Sequence, residues 1–298
     1  MKDFIIIITG PTGVGKTAKA LALAEQYNAE IINADMGQLY KPLTIGTAKP
    51  DWRSFHIPHH LFDVIDKPVN FTSINFRNSV EKLINEIYER GKVPLIVGGS
   101  SFYINSLFFP PQGKKSTSKR IYNDSTDQLW LRLKEIDPQR AKEIDCHDRY
   151  RIERALDIWF ESQVLPSHYK PTFSPLTKKA SFIVLTRDKE DLYERINVRV
   201  QQMFDEGWIG EVKGLSPEWH AFLLQKKIIG YDDIINFLNG KIVSKDELIA
   251  LIQQKTRNYA KRQLTFNRML IKKFEEHCDA VYTKLVNVTD DKQQIGED

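Results

Sequence analysis

Short unbroken apolar runs alternate along this chain with longer stretches whose apolar residues recur every three or four positions. Residues 4–9 (FIIIIT), 29–34 (AEIINA), 93–97 (VPLIV) and 181–186 (SFIVLT) are the short runs. Runs of this length, with little polar alternation, predict strands buried on both faces, as in a parallel sheet. Elsewhere the period lengthens. Val80, Leu83, Ile84 and Ile87 set one apolar stripe on a helix over residues 76–90, which Gly91 ends. Leu192, Ile196, Val200 and Met203 do the same over residues 188–206, ended by Gly207. Further helices are predicted over 102–109, 127–136, 148–162, 218–238 with a break at Gly230-Tyr231, and from 245 to about 274. Strands separated by helices predict an α/β fold, a parallel sheet flanked by helices.

That rhythm is interrupted once. Pro110 and Pro111 stop a helix, residues 113–119 are polar and basic, and two helical stretches follow with no strand before a second Pro-rich segment at 166–175. The pattern predicts a core of residues 1–111 and 176–298 with a helical insertion domain at 112–175. The polar residues 289–298 read as a disordered tail.

The loop after the first strand carries the chemistry. Gly10-Pro11-Thr12-Gly13-Val14-Gly15-Lys16-Thr17 matches G-x-x-x-x-G-K-[ST] in full, between an apolar strand and the Ala/Leu-rich residues 18–25. Its glycines let backbone amides face an anion, and a helix starting near Lys16 adds partial positive charge. Lys16 would reach a terminal phosphate and the Thr17 hydroxyl would ligate Mg²⁺. The fold is therefore P-loop NTPase-like, with the owner of the phosphates left open. Asp35 follows the second strand, at the end where such sheets bind ligands. It could position Mg²⁺ through water, serve as a general base, or simply cap a helix or turn. Gly98-Gly99-Ser100-Ser101 follows the third strand and belongs near the phosphates. His56, His59 and His60 lack metal-ligand spacing and read as hydrogen-bonding residues.

Composition adds less. The chain has 298 residues, 41% apolar, with a net charge of +4. Cys146 and Cys278 lie far apart without CxxC spacing, which suits a reducing compartment. No signal peptide or membrane span is apparent, so a soluble, cytoplasmic protein is expected, and nothing demands more than a monomer. Charge matters locally. Residues 255–273 (KTRNYAKRQLTFNRMLIKK) carry seven Lys and Arg and no acid, with Tyr259 and Phe266 interleaved. A basic stripe with aromatics is the footprint of a nucleic-acid backbone contact. Arg149, Arg151 and Arg154 cluster near one helix of the insertion, where a solvated face is the simpler explanation.

Together these motifs resemble the tRNA dimethylallyltransferases, over nearly the whole chain. Besides the P-loop there are an altered Asp-Ser-x-Gln-x-Tyr motif at Asp35–Tyr40, IGTAKP at 45–50, PHHL-x-D at 58–63, an altered GGT-x-x-Y at 98–103, an R-x-x-RAL helix at 151–156, LYERI-x-x-RV-x-x-M at 192–203, IGY at 229–231 and YAKRQ-T at 259–265. The P-loop is widely shared; the IGTAKP, PHHL and YAKRQ-T stretches are specific. Met36, Ser100, Asp157, Lys189, Phe266 and Asn267 depart from the usual residues, which marks a divergent member.

The resemblance implies transfer of a dimethylallyl group from dimethylallyl diphosphate to the exocyclic amine of an adenosine beside the tRNA anticodon. The P-loop would then hold a departing diphosphate rather than ATP. Lys16, Ser100, Arg187 and Lys189 would stabilise the charge developing on it, with Mg²⁺ held by Thr17, and Asp35 would accept the amine proton. Gln38, Lys49, Arg149, Arg151, Arg154, Lys261, Arg262 and Gln263 would contact the tRNA anticodon stem-loop. The alternatives are an adenylate isopentenyltransferase acting on free nucleotide, a P-loop small-molecule kinase, and an RNA-binding protein without activity.

Overall fold

A computed structural model describes residues 4–110, 122–169 and 174–289. Six strands form one parallel sheet: β1 (Phe4–Thr9), β2 (Ala29–Asn33), β3 (His59–His60), β4 (Val93–Val97), β5 (Lys179–Thr186) and β6 (Val281–Asn287), in the order β3-β2-β4-β1-β5-β6. The four strands read from apolar runs are the four central ones. Ile5, Ile7 and Ile8 of β1 are fully buried although they point to both faces, so helices must cover both sides of the sheet.

The two strands absent from the sequence reading are the edges. β3 has only two residues, too few for a periodic signal. β6 pairs with β5 from Ala180↔Val281 to Thr186↔Asn287, yet turns Tyr282 and Leu285 outward. Among the described residues β6 has no partner on its outer flank and none of its residues is fully buried, so the sequence carries no apolar run there.

The helices in chain order are α1 (Lys16–Tyr27), α2 (Ser73–Glu89), α3 (Ser101–Phe108), α4 (Thr126–Ile136), α5 (Pro138–Glu143), α6 (Arg149–Ser162), α7 (Lys189–Asp205), α8 (Trp208–Lys213), α9 (Pro217–Lys226), α10 (Tyr231–Leu238) and α11 (Lys245–His277). The helix expected over 218–238 is two. Lys227 takes a left-handed conformation at φ 51° and ends α9, and Gly230 starts α10 at φ 86°. The short helix α8 was not expected; it seats Trp208, which is 1% exposed.

Two compact units are present: residues to Phe109 together with those from Pro175, and Pro110–Ser174. The second contains α4, α5 and α6, closed on Leu129, Leu133, Ala141, Ile152 and Leu156. A capping box at Ser125 and Gln128 starts α4, and Asp148 caps α6. The basic residues 113–119 and the tail from 290 onward lie outside the described residues. Among the described residues no helix is long and apolar enough to cross a membrane.

Within the first unit, the carboxyl ends of β1, β2 and β4 bring residues 10–17, Asp35 and residues 98–101 together. This is the crevice where parallel α/β sheets place ligands. The 33-residue α11, about 50 Å long at 1.5 Å per residue, buries Ala260, Gln263, Asn267, Leu270 and Phe274 along one face.

Candidate active site

The P-loop turns into α1 at Gly15, whose φ of 104° is a left-handed conformation that a side chain would strain. Lys16 folds back on its own loop, donating from Nζ to the carbonyls of Gly10 (3.1 Å) and Pro11 (2.9 Å). Part of the side chain meets solvent, but burial of the ammonium lowers its pKa to about 8, against the pull of Asp35 and with the push of Arg199. Val14 is buried in the core, whereas Thr12, Gly13, Gly15, Lys16 and Thr17 line a cavity of about 770 Å³.

Arginines stand beside the same loop. The Arg187 side chain is 8% exposed, and its Nη1 pairs with Asp191 at 2.5 Å. Among the described residues its Nε is buried without a hydrogen-bond partner, and Nη2 would lie 4.0 Å from a Cβ at Gly15. A buried guanidinium N–H left unpaired beside a P-loop fits an anion there. Lys189 is exposed at the start of α7, its Nζ 5.8 Å from the Tyr193 ring centroid. The expected Arg187/Lys189 pair therefore contributes Arg187 to the loop, while Lys189 lies over Tyr193.

Two further arginines of α7 were not expected. Arg195 donates from Nε to the Gly13 carbonyl at 2.9 Å, and Arg199 from Nη2 to that of Ala48 at 3.5 Å. Both line the cavity, and burial lowers both pKa values. Their i, i+4 spacing is visible in LYERI-x-x-RV beside the Leu192/Ile196/Val200 stripe, but spacing alone does not say what they face.

Asp35 is held by an Asn33 bracket. Asn33 Oδ1 accepts the Asp35 N–H (2.9 Å), and its Nδ2 donates to the carbonyls of Asp35 (3.1 Å) and Leu61 (2.9 Å). Asp35 Oδ1 accepts the Gly37 N–H at 3.2 Å. Burial raises the Asp35 pKa, while Lys16, the Gly37 N–H and Arg199 oppose the rise. The carboxylate faces a second cavity of about 290 Å³, whose apolar wall includes Ile196, Val200, Met203, Trp208 and Ile252. Both cavities are lined by Thr12, Asp35, Thr47, Ala48 and Arg199, so they meet at the carboxylate. Tyr259 also lines the apolar cavity, its hydroxyl pKa raised by burial and by Asp35. Ser100 Oγ accepts the Met36 N–H at 2.9 Å and lines the apolar cavity, on the Asp35 side of the site.

The loop carrying IGTAKP is pinned from α8. Glu211 accepts the N–H groups of Thr44 (3.0 Å), Ile45 (2.7 Å) and Gly46 (3.4 Å), and the Tyr231 hydroxyl (2.7 Å). A Cβ at Gly46 would collide with the Trp208 indole. Sequence pattern gave no hint of this bracket, because Glu211 is 165 to 167 positions from its loop.

Three residues expected at the RNA are spent on the protein instead. Lys49 is 3% exposed and pairs with Asp63 at 2.5 Å, donating also to the Tyr40 carbonyl at 2.8 Å. Gln38 donates to the carbonyls of Thr47 and Ala48. Gln263 is 4% exposed and bridges Thr12 and Gly99. Each of these side chains is hydrogen-bonded within the protein. Lys261 and Arg262 are exposed, and Arg262 lines the apolar cavity. In the second unit, Arg149 donates to the carbonyls of Tyr122 and Asp124 and pairs with Glu153, Arg151 pairs with Asp148, and Arg154 is half-buried. His60 bonds Glu30 at 2.7 Å. Burial would raise the Glu30 pKa, but bonds from Arg90, His60 and Lys92 hold it down at about 2. His59 bonds the Ile57 carbonyl and stands at the P-loop cavity.

Comparison with known proteins matches residues 38–270 to the IPP transferase family. A tRNA dimethylallyltransferase of Alkaliphilus metalliredigens is 39% identical over 285 residues, covering 90% of each chain. One of Anoxybacillus flavithermus is 36% identical over 296 residues, covering 96% of this chain and 95% of the other. Among solved structures, a eukaryotic dimethylallyltransferase acting on tRNA superposes with a TM-score of 0.81 at 28% identity, covering 98% of this chain and 75% of the other. The tRNA isopentenylpyrophosphate transferase of Bacillus halodurans gives 0.66 at 29% identity, covering 97% and 92%. With a family match over most of its length and relatives above 30% identity across nine-tenths of it, the chain belongs to the IPP transferase family, among the tRNA dimethylallyltransferases.

Proposed function

We propose that the protein transfers a dimethylallyl group from dimethylallyl diphosphate to the exocyclic amine of the adenosine 3′ of the anticodon in tRNA, releasing diphosphate. The observation that carries this is Asp35, a half-buried residue whose carboxylate lies at the junction of a polar cavity, lined by Lys16, Arg195 and Arg199 among others, and an apolar one. The diphosphate occupies the P-loop side, and the flat adenine and five-carbon tail meet on the apolar side. The amine nitrogen attacks the first carbon of the dimethylallyl group. The carbon–oxygen bond breaks, and its electron pair leaves with the diphosphate. The amine proton passes to Asp35, whose raised pKa makes it a better acceptor than an exposed carboxylate.

Charge develops on the leaving oxygens, so donors fixed there do the most. They are the amides of Gly13 and of residues 15–17, Lys16, Arg187 and Arg195. The Thr17 hydroxyl faces the same cavity, and with diphosphate oxygens it makes an oxygen-only donor set suited to Mg²⁺. When bound there, Mg²⁺ would neutralise part of the leaving-group charge. Ser100 braces the Asp35 loop through Met36 and keeps its own hydrogen free for a partner.

A base stacked in an anticodon loop cannot reach Asp35, so it must be flipped out. Lys261, Arg262, Arg268 and Lys272 are exposed on α11 and would neutralise the backbone phosphates. The helical unit, with Arg149, Arg151 and Arg154, would contact the same anticodon stem-loop. A single chain carries every group used, and we take the monomer as the acting form.

The test supplies the purified protein with Mg²⁺, labelled dimethylallyl diphosphate, and either unmodified tRNA or AMP. Label entering tRNA is expected. Label entering AMP alone would make it an adenylate isopentenyltransferase, and ATP turnover without transfer would make it a kinase.

A further inference from the structure

We infer that Gln263 is a positioning residue for the transfer reaction: its side-chain amide ties the P-loop to the end of β4 and so sets the distance between the leaving-group side of the site and the base. The inference rests on the proposed prenyl transfer and adds a role that no RNA contact would explain. Gln263 lies on the buried face of α11. Its Oε1 accepts the Thr12 N–H at 2.9 Å, 251 positions away, and its Nε2 donates to the Gly99 carbonyl at 2.8 Å, 164 positions away. One planar amide thus links the β1–α1 loop, the β4–α3 turn and the last long helix.

Its neighbours show what that link controls. A Cβ at Gly99 would lie 2.5 Å from Gln263 Nε2, 3.6 Å from Asp35 Oδ2 and 3.6 Å from Lys16 Nζ. The amide, the base and the leaving-group lysine therefore converge on one backbone position. Asp35 is faced by Lys16 of α1, Arg199 of α7, Tyr103 of α3 and Tyr259 of α11, and Tyr259 stands one turn before Gln263. Both polar ends of the amide are satisfied by backbone, which fixes its orientation: reversing it would set oxygen against the Gly99 carbonyl and NH₂ against the Thr12 N–H. A buried amide satisfied at both ends specifies one arrangement, and removing it lets the two loops move independently.

Two variants test this. Gln263→Leu removes both bonds, and Gln263→Glu keeps the acceptor for Thr12 but sets a carboxylate against the Gly99 carbonyl, close to Asp35. With Gln263→Leu, kcat for transfer should fall roughly 10- to 100-fold, the scale of a misplaced reacting group. The KM for tRNA and the affinity for inorganic pyrophosphate should each stay within about threefold, since the P-loop donors and the exposed cations remain. With Gln263→Glu, the acid limb of the kcat–pH profile should also move to higher pH, because the added negative charge disfavours ionised Asp35. A raised tRNA KM with unchanged kcat would make Gln263 an RNA contact and overturn the proposal. So would a fall in activity that tracks reduced thermal stability with an unmoved acid limb. If Gln263→Leu does not fold, the nearly isosteric Glu variant decides through its pH profile. Failure of the wild-type enzyme to prenylate tRNA would count against the proposed function and is read separately in every run.

Discussion

Lys16 carries the sharpest pH signature at the residue scale. In the free protein burial lowers its pKa to about 8. A bound diphosphate adds negative charge beside it and raises that value. Below pH 8 the lysine is already charged and binding needs no proton. Above pH 8 the free protein has given up the proton and must take one up to bind. Affinity for dimethylallyl diphosphate, a monoester with no proton of its own left to lose above pH 8, should therefore fall above pH 8 in metal-free buffer, by up to about tenfold per unit. Titration calorimetry should show the matching proton uptake, and a flat affinity from pH 7 to 9.5 would remove Lys16 from the diphosphate site. Lys49 makes the opposite kind of prediction. Burial alone would raise the Asp63 pKa, but bonds from Lys49, Trp52 and Arg53 hold it below the usual carboxylate value. Lys49→Met leaves that carboxylate, 11% exposed, with only Trp52 and the largely exposed Arg53. Stability should drop by about 3 kcal/mol in urea unfolding, while tRNA affinity per folded molecule stays the same. A stable variant with weakened RNA binding would return Lys49 to the interface.

At the scale of elements, α11 shows why part of the site was legible in sequence and part was not. Its exposed cations stand at helical spacing, Lys261, Arg268 and Lys272 at i, i+7 and i+11, and a basic stripe could be read directly. Its buried face could not, because Gln263 and Asn267 look like surface residues until their distant partners are known: Thr12 and Gly99 for one, Ser101 for the other. Not all of the stripe faces outward either. Lys255 is held by Asp233, and Arg257 by Asn197, each at 2.5 Å. Replacing Lys261, Arg262 and Arg268 by Gln should weaken tRNA binding and lower the slope of log K against log salt by about one for each phosphate no longer neutralised. An unchanged slope would take that face of α11 out of the RNA interface. Helix α7 repeats the lesson: its apolar stripe was plain, while Arg195 and Arg199 gained meaning only when the fold aimed them at the P-loop and Asp35. The central strands were legible because they are buried on both faces, and β3 and β6 were not because they are short or half-exposed.

Over the whole molecule, one unit holds every group assigned to the chemistry, and the second is closed on its own core. Local motifs could give the anion loop and the carboxylate. They could not give the meeting of two cavities at Asp35, which depends on β1, β2, α7 and α11 being folded together. That meeting point is the central claim. Its most direct test is a single-turnover measurement with excess enzyme, unmodified tRNA already bound, and labelled dimethylallyl diphosphate added last, for the wild type and Asp35→Ala. The wild type should place label in the tRNA, and Asp35→Ala should do so roughly 10²–10⁴ times more slowly with tRNA affinity nearly unchanged. Equal rates in the two proteins, or a variant whose tRNA binding falls in proportion to its rate, would contradict Asp35 as the base.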